Sequence, residues 1–251
     1  MIDVIHLRGT KEPISDQHGI SRTFLNALDP TRFRSLLVDC PGDYGDPIPF
    51  GVSNDIGRAH ALEVIAGSGN LLVLSGYSAG AYIAGDLAAD IAAKRVPGVD
   101  PNRLLGCALI ADPKRPEFAG APGLATPPGY GIAGQRPVPD VRTWWGTASH
   151  DPISALPADN MLRSLADLSV YASLDPMRWA MWAQSVVSVI AARKLQPWWA
   201  VWRKPLPRVI AAEQAALGYL TGRHTTDYLT EGICVGLAAA VNNAFPAQES
   251  A

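Results

Sequence analysis

Several short stretches in the first part of the chain are apolar without alternating: "IDVIHL" (2 to 7), "SLLVD" (35 to 39), "LLVLS" (71 to 75), "LLGCALIAD" (104 to 112) and "VRTWWGT" (141 to 147). An unbroken apolar run of strand length suits a strand covered on both faces, as in a parallel sheet. Between these runs, "NDIGRAHALEVIA" (54 to 66) and "AYIAGDLAADIAAKR" (81 to 95) carry the apolar spacing of helices. The alternation of strand and helix predicts an α/β fold with a central, mostly parallel sheet.

The pattern then changes. Residues 114 to 140, "KRPEFAGAPGLATPPGYGIAGQRPVPD", are so rich in Gly and Pro that neither a long helix nor a central strand fits them. A loop at a strand end is expected there, a place where function often sits. From about 154 to 205 the texture is helical, and Trp179, Trp182, Trp198, Trp199 and Trp202 fall within it. This reads as a helical region inserted into a single domain spanning 1 to 251. A closing helix is expected over "TEGICVGLAAAVNNAF" (230 to 245), packed against the sheet. No repeat at a fixed period is present, which argues against a solenoid.

Charge narrows the classes of partner. Lys and Arg number 21 against 23 Asp and Glu, a formal net charge of -2. There is no basic stripe of the kind that a phosphate backbone requires, so no nucleic-acid partner is expected. The opening "MIDVIHLRGT" is too short in apolar residues for a signal peptide, and no later stretch reaches the ~20 apolar residues of a membrane span. The expectation is a protein made in the cytoplasm without a transmembrane segment. Cys40, Cys107 and Cys234 are widely spaced, without metal-type spacing, and are expected to be buried free thiols.

The candidate chemistry lies at "LLVLSGYSAGAYIAGD", where an apolar strand meets a helical pattern through Gly76, Ser78 and Gly80. A nucleophile elbow needs an abrupt strand end, a strained turn that presents the serine Oγ, small neighbours, and a helix whose N-terminus faces the site. All four are written into this stretch. The Ala79 N–H, at the positive end of the helix, would be one oxyanion donor.

A serine hydroxyl also needs a base, and the base needs an acid. Of the five histidines, His150 and His224 follow Ser78 in the chain. His150 directly precedes Asp151 on the same turn, so His224 in "TGRHTTDY" is the candidate base. Asp151 in "GTASHDPIS" follows a strand and is the leading acid; Asp112 in "IADPKRP" follows the preceding strand and is the alternative. A second oxyanion donor is expected from the loop after the first strand, where Gly9 in "HLRGTKEP" permits a sharp turn and Thr10 offers an N–H.

These segments resemble those of actinobacterial cutinase-like proteins: "HLRGTKEP" their Arg-Gly-Thr-x-Glu-Pro segment, "GYSAGA" their Gly-Tyr-Ser-x-Gly elbow, and "SHDPIS" their acid loop. Within that group the chain is most similar to the phage lysin B family of mycolylarabinogalactan esterases. The resemblance implies a three-layer α/β-hydrolase fold, with Ser78, Asp151 and His224 as the triad and Thr10 and Ala79 at the oxyanion hole. It also implies no cofactor or metal, and as substrates mycolic-acid esters of arabinogalactan or other lipid esters. The site of action would be the outer mycolate layer of the cell envelope once lysis begins. No cysteine flanks Ser78 or Asp151, a departure from secreted cutinases. Ala79 stands where many cutinases have glutamine, a position that needs only its backbone N–H.

Overall fold

The computed structural model describes residues 1–44, 47–170, 172, 179–192, 194–196, 214 and 222–246. Its frame is a parallel sheet of five strands in the order β2-β1-β3-β4-β5. The strands are β1 (Ile2–Leu7), β2 (Phe33–Val38), β3 (Leu71–Tyr77), β4 (Leu104–Ile110) and β5 (Arg142–Gly146). β1, β3 and β4 are buried along nearly their whole length, as expected of strands covered on both faces. β2 lies at an edge and is partly exposed at its middle, and it begins at Phe33, two residues before its apolar run.

Helices cover both faces. On one side α2 (Phe50–Ala66) and α3 (Ala79–Ala92) enclose a core of Ile5, Leu7, Leu72, Leu74, Leu87 and Leu109. On the other, α1 (Ile20–Asn26) and the C-terminal α7 (Ile233–Ala244) pack over Val4, Val73, Tyr77, Ala108 and Ile110. A sheet sandwiched by helices on each face is the three-layer α/β arrangement.

The structure corrects the element reading in places. α2 starts at Phe50, directly after Pro49, rather than at Asn54. α1, for which the sequence offered no signal, carries no side-chain cap of its own at Gly19. Its C-terminal end is held from outside, by Asn242 donating to the Ala27 carbonyl and accepting from the Asp29 N–H. The closing helix expected over 230 to 245 is α7, which starts at Ile233, and a short α6 (Thr226–Thr230) precedes it, with Gly232 between them at φ 68°, where a side chain would be strained. Of the helical region expected over 154 to 205, α4 (Leu162–Ser169) and α5 (Trp179–Ala191) are described. Trp198, Trp199 and Trp202, and the side chains of Trp179 and Trp182, lie outside the described residues.

The Gly and Pro-rich segment after β4 is organised by two buried arginines. Arg115 donates to the carbonyls of Ala119, Pro127, Gly129 and Ser154. Arg163 donates to those of Gly131, Tyr130, Leu156 and Pro157 and lies over the Tyr130 ring at 3.4 Å. A five-donor guanidinium can satisfy several carbonyls that no ladder would reach. The loop after β4 is thereby tied to the segment after β5, with Tyr130 and Leu156 forming an antiparallel bridge.

Cys40, Cys107 and Cys234 are free and buried. Burial pushes their thiols up to about 11, 12 and 12 respectively, so the reactive thiolate is scarce at neutral pH. Ellman's reagent at pH 8 should therefore find no reactive thiol in the native protein and three after denaturation. Rapid labelling of the native chain would contradict this packing.

Candidate active site

The carboxyl ends of the strands converge on one edge of the sheet, and the chain turns sharply at several of them. Lys11 after β1, Ser78 after β3, Ala111 after β4 and His150 after β5 all have positive φ, between 53° and 65°. At Ser78, φ is 54° and ψ is -115°, a conformation that costs on the order of 1–3 kcal/mol and needs firm support. Its N–H donates to the Ile110 carbonyl at 2.9 Å, and its own carbonyl accepts from Tyr82 N–H at 3.0 Å. The glycines make room. A Cβ on Gly76 would sit 2.3 Å from Gly80 backbone atoms, and one on Gly80 would sit 2.0 Å from the Leu7 carbonyl oxygen.

The elbow aims Ser78 at His224. Ser78 Oγ lies 2.7 Å from His224 Nε2, and His224 Nδ1 lies 3.1 Å and 3.2 Å from the two oxygens of Asp151. All three side chains are buried. The Asp151 carboxylate also accepts from Ile153 N–H at 2.9 Å, Ser154 Oγ at 2.7 Å and the Tyr228 hydroxyl at 2.6 Å. Burial alone would raise the Asp151 pKa, but His224 and the hydroxyls of Tyr228 and Ser154 outweigh it and hold the carboxyl below its usual range. Tyr228 moves the other way, pushed well up by burial and by the Asp151 charge, so its phenol stays protonated and donates.

An ionised carboxylate only accepts, so the proton facing Asp151 must be on His224 Nδ1. That leaves Nε2 with its lone pair toward the serine, so the Ser78 hydroxyl donates to it. The histidine is further held by Tyr77, whose hydroxyl donates to the His224 carbonyl at 2.7 Å and whose ring stacks on the imidazole at 5.5 Å.

The other acid candidate is engaged elsewhere. Asp112 accepts from Arg136 at 2.7 Å, from Trp145 Nε1 at 3.0 Å and from Lys114 N–H at 2.9 Å. Burial raises its pKa against the pull of Arg136. Of the two aspartates, the structure therefore brings Asp151 to the histidine. His150 sits exposed on the turn before it.

Of the two residues expected to supply oxyanion donors, Ala79 directly follows Ser78, and Thr10 follows β1, the strand paired with β3. Ala79 is the first residue of α3, where an N–H has no acceptor within its helix. Gly9 packs so closely that a Cβ would lie 2.4 Å from the Tyr77 ring. Thr10 follows it in a turn closed by Glu12 N–H on the Gly9 carbonyl, with Lys11 N–H on the Gly42 carbonyl.

The profile of the Alpha/beta hydrolase family matches residues 18–243. The chain belongs to that family. Among solved structures it is similar to lysin B from Mycobacteriophage D29, at 17% identity and a TM-score of 0.52, with 87% of this chain and 88% of that one covered. It is also similar to a cutinase-like protein from Cryptococcus sp., at 18% identity and a TM-score of 0.43, covering 78% of this chain and 95% of that one. At 17% identity the likeness to lysin B speaks to the fold alone. Among curated proteins none matches the chain.

As a family member, the chain shows parts of the site that its motifs do not announce. Tyr228, on α6, stands four residues after His224, and its ring lies edge-on to the imidazole at 6.3 Å. Ser154 stands three residues after Asp151 and folds back onto it. Both spacings were readable, but neither points to a role without the acid loop and the histidine loop in contact.

Tyr228→Phe should weaken the protein at neutral pH by about 1–3 kcal/mol, because a buried carboxylate loses a donor. A depressed aspartate contributes stability above its unfolded pKa of about 4 and loses it as pH falls through the folded value. With Asp151 less depressed, the gap between variant and wild type should shrink on acidification below pH 5 in a series of urea midpoints. Gly80→Ala, whose methyl would meet the backbone of Leu7 and Arg8, should cost roughly 1–3 kcal/mol in the same assay.

Proposed function

We propose that the protein is a serine esterase that hydrolyses mycolyl esters of arabinogalactan in mycobacterial-type envelopes and so releases mycolic acids during phage lysis. The observation that carries the chemistry is the strained Ser78 whose Oγ lies 2.7 Å from His224 Nε2, with Nδ1 of the same ring on a buried Asp151. Burial, tautomer and hydrogen bonding all favour a histidine that takes a proton at one face and keeps it at the other.

In this reading Ser78 Oγ attacks the ester carbonyl while His224 Nε2 receives its proton. The carbonyl oxygen becomes an oxyanion, held by the N–H groups of Ala79 and Thr10. His224 then gives the proton to the departing sugar oxygen, leaving the acyl group on Ser78. Water adds by the same route and frees the acid. The residues suffice for this chemistry without a cofactor.

The choice of mycolyl esters rests on the resemblance of the Arg-Gly-Thr, Gly-Tyr-Ser and Ser-His-Asp-Pro segments to the cutinase-like and lysin B group, and is supported by the likeness in fold to a phage lysin B. The stretch expected to be helical over 154 to 205 is where an apolar surface for a long acyl chain would be sought.

Mass spectrometry of acids released from purified mycolylarabinogalactan tests the proposal. Wild type should release free mycolic acids, and Ser78→Ala should lower the rate roughly 10³-fold or more. Ser78-dependent cleavage of a soluble p-nitrophenyl ester without mycolate release would move the enzyme to cutinase or lipase substrates. Mycolate transfer to added trehalose in place of release would make it a transferase.

A further inference from the structure

A second buried polar chain crosses the sheet beside the candidate site, and the esterase chemistry above does not use it. His6 on β1 and Ser75 on β3 are register partners in the sheet, and both are fully buried. His6 Nδ1 lies 2.8 Å from Ser75 Oγ, and His6 Nε2 lies 2.9 Å from Ser21 Oγ on α1. Ser21 Oγ in turn donates to Glu12 Oε2 at 2.6 Å. Glu12 also accepts from Ser21 N–H at 2.9 Å and from Gly9 N–H at 3.0 Å.

The proton positions along this chain follow from its far end. Glu12 as a carboxylate only accepts, and Ser21 has a single hydroxyl hydrogen, which goes to Glu12. Ser21 Oγ must therefore accept from His6, which places the ring proton on Nε2. Nδ1 is then an acceptor, and Ser75 donates to it. Burial, with Arg22 nearby, pushes the His6 pKa down to about 3, so the ring stays neutral and the order stays fixed. Every hydroxyl and ring hydrogen thus points the same way, from β3 toward Glu12.

What Glu12 holds is the turn that carries Thr10. Besides fixing the Gly9 N–H, Glu12 closes that turn through its own N–H and receives the Arg8 guanidinium on its carbonyl at 2.6 Å. Lys11 N–H is fixed on the Gly42 carbonyl. With the amides on each side of it fixed, the direction of the Thr10 N–H is set. Ser75, at the other end of the chain, lies three residues before Ser78, on the strand that leads into it.

We propose that Glu12 is the positioning residue of the oxyanion turn, aligning the Thr10 N–H with the nucleophile through the ordered chain Ser75, His6 and Ser21. The inference rests on the esterase reading. An amide cannot replace Glu12, because all of its contacts are donors: whichever oxygen becomes NH2, it faces another N–H or O–H.

The test uses the full chain and p-nitrophenyl butyrate. Glu12→Gln should lower kcat on the order of 10- to 100-fold with KM little changed, the cost of a displaced oxyanion donor. Affinity for a trifluoromethyl ketone, which adds to Ser78 as a hemiketal oxyanion, should fall by a similar factor. A purely structural role would lower the urea midpoint without moving that affinity. Should Glu12→Gln not fold, Ser21→Ala, which keeps the carboxylate but removes one donor to it, is expected to lose roughly 2- to 10-fold in kcat and in ketone affinity together. Nitrogen-15 NMR of the wild type, independent of turnover, should find the His6 proton on Nε2. Wild-type kcat and ketone affinity in a folded variant, or a proton on Nδ1, would overturn the inference. If Ser78→Ala retained full activity the esterase reading itself would fall, whereas an inactive Ser78→Ala beside an unimpaired Glu12→Gln would sink the positioning role alone.

Discussion

The close approach of the first turn of α3 to the end of β1 governs the rest of the site. Gly80 lies against the carbonyls of Leu7 and Arg8, and Gly76 lies against Gly80 itself, with no space at either for a methyl group. This contact lets the chain leave β3 through a positive-φ serine and enter a helix at once. A larger residue at either glycine would push α3 outward and swing both the Ser78 Oγ and the Ala79 N–H. The strain at Ser78 is tolerated because the sheet and helix hold it through backbone hydrogen bonds on each side. The same contact sets the turn at Gly9 and Thr10 next to the elbow, since Arg8 and Gly9 continue directly from the strand that Gly80 touches.

The central strands were legible because burial on both faces leaves an apolar run with no alternation, and β1, β3 and β4 have that environment. β2 is only partly legible because an edge strand mixes exposed and buried positions, and Phe33 is separated from the apolar run by Arg34. α1 is not legible, for a different reason. Its seven residues lack a cap signal, and its order comes from Glu12, Asn242 and packing against α7, none of them local. The break between α6 and α7 was in principle visible at Gly232, but a glycine within a helical pattern is ambiguous until its φ is known.

At the site, Ser78 was legible because strand end, glycines and helix lie within one contiguous stretch. The choice between Asp112 and Asp151 could not be made that way: each follows a strand, and each precedes a proline. What separates them is tertiary. Arg136, Trp145 and the Lys114 amide surround Asp112, while Tyr228, Ser154 and the Ile153 amide surround Asp151 on the side that faces His224. Arg115 and Arg163 belong to the same class of hidden determinant. Their carbonyl partners are spread over the loops after β4 and β5, and nothing in the sequence near either arginine marks it as buried.

Two carboxylates, Asp151 and, in the role proposed for it, Glu12, therefore order the surroundings of the same serine, and they do so by the same physical means. A carboxylate surrounded only by donors fixes the hydrogen of each hydroxyl and each imidazole that reaches it, removing the rotor and tautomer freedom that such groups otherwise keep. From Asp151 that order runs outward through His224 and leaves a lone pair aimed at Ser78. From Glu12 it runs back through Ser21 and His6 to Ser75, a hydroxyl on the strand that leads into Ser78. Buried polar chains of this length are costly when any member is unsatisfied, which is why each of these side chains finds a partner at normal hydrogen-bond distance. An apolar core of the same shape would hold the sheet together equally well. It would leave undetermined where the protons lie, and the acyl transfer proposed at Ser78 depends on just that.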